Sequence, residues 1–141
     1  MKHIITALLI SPALLSVAHA ESSNVEKYKQ VYVEQITPIL KKQFVDALAT
    51  EADPEAKLSF VANGMANCQV ETISAYPQKY QDASINPVAE GGDLSEVTKQ
   101  VNKMIKADIE SGAISEEDFK AMVESATEKY INCTKALEKQ L

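Results

Sequence analysis

The side chains that most often perform nucleophilic, acid–base or zinc chemistry are scarce in this sequence. Its 141 residues include two histidines, His3 and His19, and two cysteines, Cys68 and Cys133. Both histidines lie in a segment with the features of a cleaved signal peptide, so the mature chain would have no imidazole to act as a general base or a metal ligand. A disulfide between the two cysteines would leave no thiolate nucleophile. We therefore predict that the protein is not an enzyme and binds neither a metal nor a cofactor.

Carboxylates are the remaining side chains that could catalyse a reaction, because a pair of them can hydrolyse a glycosidic bond. Glu90, Asp93 and Glu96 lie close together in the sequence, in and beside a segment without helical periodicity. Helix capping explains Asp93 and Glu96 without catalysis, since both residue types are favourable at a helix start. The chain also contains no tryptophan, an aromatic residue that sugar-binding clefts favour.

Residues 108–119 have a partial likeness to the calcium-binding loop of an EF-hand. Gly112, followed two positions later by the hydrophobic Ile114, matches the middle of such a loop. In that register the first and third positions, which must supply oxygen ligands, are Ala107 and Ile109. Because neither side chain can bind calcium, the segment is predicted to be a corner between two helices that turns at Gly112.

The first twenty residues have the three zones of a secretory signal peptide. Lys2 supplies the positive charge, residues 4–17 are mostly apolar, and Ala18-His19-Ala20 provides the small-x-small pattern of a cleavage site. The apolar run is too short and too interrupted for a membrane anchor, which needs about 20 consecutive apolar residues. We therefore expect residues 1–20 to be removed and residues 21–141 to form a single domain in the periplasm.

The two cysteines, Cys68 and Cys133, would both lie in the mature, exported chain. An oxidising compartment favours a disulfide between them. Closing a loop of this length would stabilise the fold by about 4 kcal/mol on chain-entropy grounds. We therefore predict one intramolecular disulfide.

Hydrophobic residues recur at helical spacing in four segments, which predicts an all-α fold. The segments are residues 24–50, residues 54–76, a third that begins at the Asp93 cap and ends at Gly112, and a fourth that begins at the Ser115 cap and extends to Leu137. Pro38 removes a backbone donor within the first segment, so a kink or break is expected near Thr37. Cys68 and Cys133 fall on the apolar stripes of the second and fourth segments, which agrees with the predicted disulfide. The expected architecture is a four- or five-helix bundle.

Residues 78–92 lack helical periodicity and contain the turn sequences Asn86-Pro87 and Gly91-Gly92. We therefore predict a long loop here, with at most a short turn of helix at its start. A loop of this length in a small domain is often functional.

The tyrosines divide into two groups by the same pattern. Four of them lie on apolar stripes and are expected in the core: Tyr28, Tyr32, Tyr76 and Tyr130. Tyr80 lies off the stripes, beside the predicted loop, where it would be either an exposed anchor for a partner or a cover over one end of the bundle. Together with Glu90, Asp93 and Glu96, Tyr80 forms the predicted partner-binding site.

The charge of the chain narrows the class of partner. Without residues 1–20, which contain Lys2 and no acidic residue, the chain has 13 lysines, 20 acidic residues, a net charge of −7 and no arginine. This composition argues against nucleic-acid binding, which depends on a basic surface. It favours a basic protein partner, since opposite charge accelerates association. A homodimer is a further expectation, because helices this rich in apolar residues can leave one face uncovered.

Three functional hypotheses follow from these observations. The first is a non-enzymatic binding protein of the periplasm, such as an inhibitor or immunity protein that neutralises a basic, cell-wall-attacking toxin or effector by occluding its cleft. The second is an envelope chaperone that responds to acid stress, because protonation of 20 carboxylates would reverse the net charge and open the bundle. The third is a carboxylate-based hydrolase of cell-wall sugars.

Overall fold

The protein is all-helical, as the sequence predicts. The computed structural model describes the backbone of residues 16–140 and the side chains of residues 23–140. These residues form six helices and no strand. The helices are α1 Ser16–Gln43, α2 Val45–Leu48, α3 Pro54–Ile73, α4 Gln78–Ala89, α5 Leu94–Glu110 and α6 Glu116–Glu138. Most of the predicted signal peptide, residues 1–15, lies outside the described residues.

Side-chain caps begin three of the long helices at the residues that the sequence indicates. In each case an oxygen of the capping side chain accepts a hydrogen bond from the N–H group three residues later, which has no partner within the helix. The three pairs are Asp53 with Ala56 at 3.0 Å, Asp93 with Glu96 at 2.9 Å, and Ser115 with Asp118 at 3.0 Å. These hydrogen bonds stabilise the first turns of α3, α5 and α6.

Helix α1 differs from the prediction at its C-terminal end. It continues through Pro38, so a break near Thr37 is wrong, and the helical path is interrupted at Phe44, before α2. A proline in a helix interior costs about 3 kcal/mol. Burial of Leu40 against α3 favours the continued helix, because a break at Thr37 would remove this side chain from the core.

The segment predicted to be a long loop is mostly the helix α4. This helix begins after Pro77 and is followed by Gly91, whose φ of 94° favours glycine. Its buried side chains are Tyr80, Ile85 and Val88. Their spacing is not a regular helical repeat, and Pro87 lies inside the last turn, so the sequence pattern does not reveal the helix.

Helix α1 lies at the centre of the fold, with α3 and α4 packed against it. Helix α6 packs on α3, and α5 packs on α4. A short turn joins α5 to α6, but the two helices pack on different helices. Buried side chains form two clusters. One cluster is Tyr28, Ile73, Ile85, Val88 and Val97, and the other is Leu40, Leu58 and Ala62. The fold therefore consists of two helix pairs, α3–α6 and α4–α5, held together by α1.

A disulfide joins Cys68 of α3 to Cys133 of α6, as predicted from the sequence. One helical turn from Cys68, Gly64 allows the two helices to approach closely, because a Cβ atom at this position would lie 2.4 Å from Leu137 Cδ1. Among the described residues of α6, only Ala126 is buried. The covalent bond therefore supplements a packing interface that buries little of α6.

Side-chain hydrogen bonds tie α1 to the α4–α5 pair. Gln35 of α1 donates from Nε2 to the carbonyl oxygen of Gly92 at 2.9 Å, and its Oε1 accepts from the N–H group of Leu94 at 2.9 Å. Closer to the N-terminus of α1, Asn24 Nδ2 donates to Asn86 Oδ1 of α4 at 3.0 Å. These bonds hold the turn between α4 and α5 against α1.

Candidate partner-binding surface

The three carboxylates predicted to bind a partner lie together at the turn between α4 and α5. Glu90, Asp93 and Glu96 are all exposed. Asp93 caps α5, and Glu96 forms an ion pair with Lys99 at 2.7 Å, so both already have a local structural role. Their partner-binding role stays a prediction.

Tyr80 is not an exposed anchor, which corrects one of the two interpretations of this residue. Its side chain is 1 % exposed, and its hydroxyl donates a hydrogen bond of 2.5 Å to the Asp108 carboxylate of α5. Lys79 Nζ lies 2.6 Å from the same carboxylate. The physical reason is that residues 78–89 form a helix, and this helix directs the Tyr80 side chain towards α5.

The group formed by Lys79, Tyr80 and Asp108 is electrostatically satisfied. Hydrogen bonds from Lys79 and Tyr80 hold the pKa of the Asp108 carboxyl below its usual value of 3.8. The hydrogen bond to Asp108 raises the pKa of Lys79, and burial is the main cause that raises the pKa of Tyr80. Each group therefore keeps its usual protonation state at neutral pH, and none is tuned for acid–base catalysis there.

Tyr130 corrects a second expectation about the tyrosines. Tyr28 is buried, and Tyr32 and Tyr76 are half-buried, but Tyr130 is 40 % exposed. Helix α6 packs mainly on α3. Only Ala126 of the described α6 residues is buried, so the apolar stripe of α6 is thinly covered and Tyr130 is partly exposed, even though its spacing along α6 resembles that of a core position.

The part of the chain that the structure describes contains no cluster of side chains suited to hold a metal ion. Ala107 and Ile109, the ligand positions of the hypothetical calcium loop, lie within regular α5. The chain then turns at Gly112, whose φ of 75° favours glycine, before α6 begins. The segment is thus the helix–turn–helix corner that the sequence predicts.

Large apolar side chains are exposed around α2. Ile39 is 54 % exposed, Phe44 48 % and Val45 61 %. The sequence pattern places Phe44 on the buried stripe of the first helix, and this is wrong because the helix is interrupted at that residue. We refer to Ile39, Phe44, Val45, Ala47 and Leu48, together with the α3 side chains that line the adjoining groove, as the α2 surface.

The groove of the α2 surface lies between α2 and the first turns of α3 and has a volume of about 180 Å³. Its walls are almost entirely apolar. They are formed by Phe44, Ala47, Leu48, Leu58 and Val61. Glu51 and Lys57, whose charged atoms are 3.9 Å apart, also line it. A space of this volume accommodates about one large apolar side chain, since a protein cavity of roughly 150 Å³ holds a benzene ring.

Carboxylates are concentrated in the chain segment that forms one side of the groove. Residues 44–56 contain four acidic residues and no lysine. The four are Asp46, Glu51, Asp53 and Glu55, and all are exposed. Glu55 forms an ion pair with Lys41 at 2.6 Å. An apolar centre with a charged, solvent-accessible edge is the usual anatomy of a protein–protein interface.

The disulfide is compatible with a compartment outside the reducing cytosol. Each helix in the described part of the chain is too short or too polar to cross a bilayer. A comparison with protein families, with curated proteins and with solved structures found no match to this chain.

Proposed function

We propose that the protein is a non-enzymatic binding protein, exported to the periplasm, that neutralises a basic protein partner by docking its α2 surface into the partner's cleft. The partner belongs to the class of cell-wall-attacking toxins or effectors, so the protein acts as an inhibitor or immunity protein. The observation that carries this proposal is the exposed apolar groove of the α2 surface, which Glu51 lines, in a chain segment, residues 44–56, that also exposes Asp46, Asp53 and Glu55. Single exposed apolar side chains are common on proteins, but a contiguous apolar surface is typical of a binding site.

The groove and the carboxylates have different roles in the proposed complex. Burying one large apolar side chain of the partner in the groove contributes about 1.5–3 kcal/mol. A micromolar complex requires about 8 kcal/mol, so the interface extends over neighbouring exposed residues such as Ile39 and Val45. The carboxylates raise the association rate with a basic partner and make that rate sensitive to salt.

The test is capture of the partner from an envelope extract by the purified exported protein. Phe44→Glu places a charge at the apolar groove. Phe60→Glu is the matched control, because Phe60 is 42 % exposed but does not line the groove. We expect the wild-type protein and F60E to retain one basic protein in a 1:1 complex and to inhibit its hydrolysis of peptidoglycan. We expect F44E to weaken this complex by about tenfold or more.

Three results would contradict the proposal. A partner that binds equally well to F44E and to F60E would show that the α2 surface is not the binding site. Sedimentation of the purified protein as a dimer, dissociated by F44E, would assign the α2 surface to a homodimer. Retention of many unfolded chains instead of one folded partner would favour a chaperone.

A second candidate function, an envelope chaperone opened by acid, is favoured by the contact between Asp108 and α4. The Asp108 carboxylate joins α5 to Lys79 and Tyr80 of α4, and its protonation would remove the ion pair with Lys79. Protonation of all carboxylates would leave the positive charges of the 13 lysines of residues 21–141 without compensating negative charges. Repulsion among these lysines would then favour an open state in the same pH range in which the Asp108 contact weakens. Release of α5 would expose the cluster formed by Ile85, Val88 and their neighbours.

Circular dichroism and binding of an apolar dye, followed from about pH 7 to about pH 2, test this second candidate. A chaperone of this kind would keep most of its helix content, bind the dye below about pH 3, and suppress aggregation of an acid-denatured client. A compact state without dye binding throughout the titration would exclude it.

A further inference from the structure

The protein has a cleft between α3 and α5, apart from the α2 surface. It exists because α5 packs on α4 and α6 packs on α3, so the facing sides of α3 and α5 are not packed extensively against each other. We propose that this cleft binds a small, uncharged, single-ring aromatic molecule that carries a hydrogen-bonding group. This site goes beyond the proposed function and does not depend on it.

Four helices form the cleft. Gln69 and Tyr76 belong to its α3 wall, and Asn102 belongs to its α5 wall. Tyr28 of α1 and Tyr80 of α4 line its buried part, where both side chains are almost fully covered. The polar side chains at the walls are more accessible than this aromatic floor, since Gln69 and Tyr76 are half-buried and Asn102 is exposed. A molecule in the cleft would therefore have its apolar part inside and its polar group near the walls.

The volume of the cleft sets the size of the ligand. It is about 160 Å³. Sites for drug-sized ligands have about 300–1,000 Å³, so this cleft is too small for a molecule of several rings. A cavity of roughly 150 Å³ holds a single benzene ring. The cleft therefore fits one ring with a short substituent.

The lining of the cleft sets the chemistry of the ligand. Three of the five tyrosines in the chain line it, and no lysine, aspartate or glutamate does. Burial raises the pKa values of Tyr28 and Tyr76, so their phenol groups stay neutral at physiological pH. The nearby charges of Lys79 and Asp108 are already paired with each other at 2.6 Å. An aromatic ring packs favourably against tyrosine side chains, whereas a charged ligand would lose hydration without gaining a partner.

Three polar groups of the cleft are available to a ligand. The side-chain amides of Gln69 and Asn102 and the hydroxyl of Tyr76 line the cleft, and no hydrogen bond joins them to another group in the described part of the chain. An amide can both donate and accept, and a phenol hydroxyl can do the same. These groups suit a carbonyl, amide or hydroxyl substituent on the ring.

The probe for this site is 4-fluorobenzamide, whose binding is observed by its ¹⁹F resonance. The site is mapped by the backbone ¹⁵N shifts of the exported protein. Its charged analogue, 4-fluorobenzoate, is the ligand control. We expect a Kd on the order of 1 mM for the amide, as is usual for a ligand of this size. The shifts should concentrate in α3 and α5 around Gln69 and Asn102. The benzoate should bind more weakly by about tenfold or more.

Two neighbouring residues of α5 provide a matched pair of variants. Asn102→Phe places a ring over the cleft, while Lys103→Phe places the same ring on an exposed position that does not line it. N102F should weaken binding of 4-fluorobenzamide by about tenfold, and K103F should leave it within about twofold. Gln69→Ala does not obstruct the cleft, but it removes a hydrogen-bonding group and should therefore weaken binding of 4-fluorobenzamide several-fold.

The proposal is overturned if the benzoate binds as well as the amide, if the ¹⁵N shifts lie outside the cleft, or if N102F and K103F bind equally. Because Phe44 does not line the cleft, F44E should bind 4-fluorobenzamide normally. If F44E loses partner capture but still binds 4-fluorobenzamide, the cleft and the α2 surface are two independent binding sites.

Discussion

Tyr76 and Tyr80 are four residues apart, and their hydroxyl groups have different environments. The Tyr80 hydroxyl donates to the Asp108 carboxylate at 2.5 Å and its side chain is buried, whereas Tyr76 is half-buried and its hydroxyl has no such partner among the described residues. We expect Tyr80→Phe to lower the free energy of unfolding by about 1.5–3 kcal/mol, because a hydrogen bond to a charged acceptor is lost. Tyr76→Phe should cost less than about 0.5 kcal/mol. Urea denaturation of both variants measures the difference, and equal costs would contradict the assigned role of Asp108.

The Asp108 carboxylate should make stability depend on pH in the acid range. Its pKa is lowered in the folded protein, so it contributes stability above the usual value of 3.8, and this contribution is lost as the pH falls through the folded pKa. We expect Asp108→Asn to lower the urea midpoint at neutral pH, and we expect its difference from the wild-type protein to shrink progressively as the pH falls below 3.8. Asp82→Asn is a control on α4, because Asp82 is exposed and pairs only locally, with Gln78. A wild-type advantage over D108N that does not diminish as the pH falls below 3.8 would show that the residue acts through packing and not through its charge.

The sequence is least informative about the roles of individual residues. The two hydrogen bonds of Gln35 join α1 to the turn at Gly92 and Leu94, more than fifty residues later in the chain. No local pattern distinguishes Gln35 from the exposed Gln30 on the same helix. Phe44 was equally ambiguous, because its spacing continues an apolar stripe and only the interruption of the helix exposes it. These roles arise from tertiary contacts, which a one-dimensional pattern does not contain.

At the scale of elements, Gly64 and Leu137 set the distance between α3 and α6. Replacing glycine by alanine within a helix gains about 1 kcal/mol from helix propensity. In the wild-type protein the new methyl group would lie 2.4 Å from Leu137 Cδ1 and would have to displace it. We expect Gly64→Ala to stabilise a Leu137→Ala background by more than it stabilises the wild-type protein, with a coupling of at least about 0.5 kcal/mol in a double-mutant cycle. An additive cycle would mean that the helices do not pack closely at this position.

The disulfide between Cys68 and Cys133 should matter most for α6. This helix packs mainly on α3 and buries only Ala126 fully. Replacing both cysteines by serine should reduce stability by about 4 kcal/mol. Hydrogen exchange should then show a larger loss of protection in α6 than in α1, because α1 keeps its contacts with α3 and α4. Equal loss of protection in the two helices would show instead that the fold opens as one cooperative unit.

The elements that the sequence predicted well are those with a regular repeat and a side-chain cap. Helices α3, α5 and α6 begin next to Asp53, Asp93 and Ser115 as expected. Helix α4 was missed because its core positions are irregularly spaced and because Pro87 is a turn signal on its own. A proline near the C-terminal end of a helix is tolerated where tertiary packing holds the helix, and here α1 and α5 pack on α4. The turn sequences therefore predict a loop wrongly here, because packing by α1 and α5 stabilises the helix.

For the molecule as a whole, the sequence predicted the charge, the disulfide and the all-helical fold, but not the position of the candidate binding surface. The sequence pattern favours the acidic residues at the α4–α5 turn, because they lie in and beside a segment that lacks helical periodicity. The α2 surface could not be identified, since its apolar residues have the composition of a core helix and only the fold exposes them. Composition predicts only the charge of the proposed partner, and the geometry was needed to identify the proposed docking surface.

Site-specific photo-cross-linking in intact cells is the most direct measurement of the proposed docking. A photoreactive residue replaces Ala47, which lines the groove of the α2 surface, and the control carries it at Lys103 on α5. We predict one cross-linked product from position 47, containing a basic envelope protein, and none from position 103. The same cross-linked product from both positions would contradict docking through the α2 surface. So would the absence of a product from position 47 in cells that express the partner identified by capture from the envelope extract.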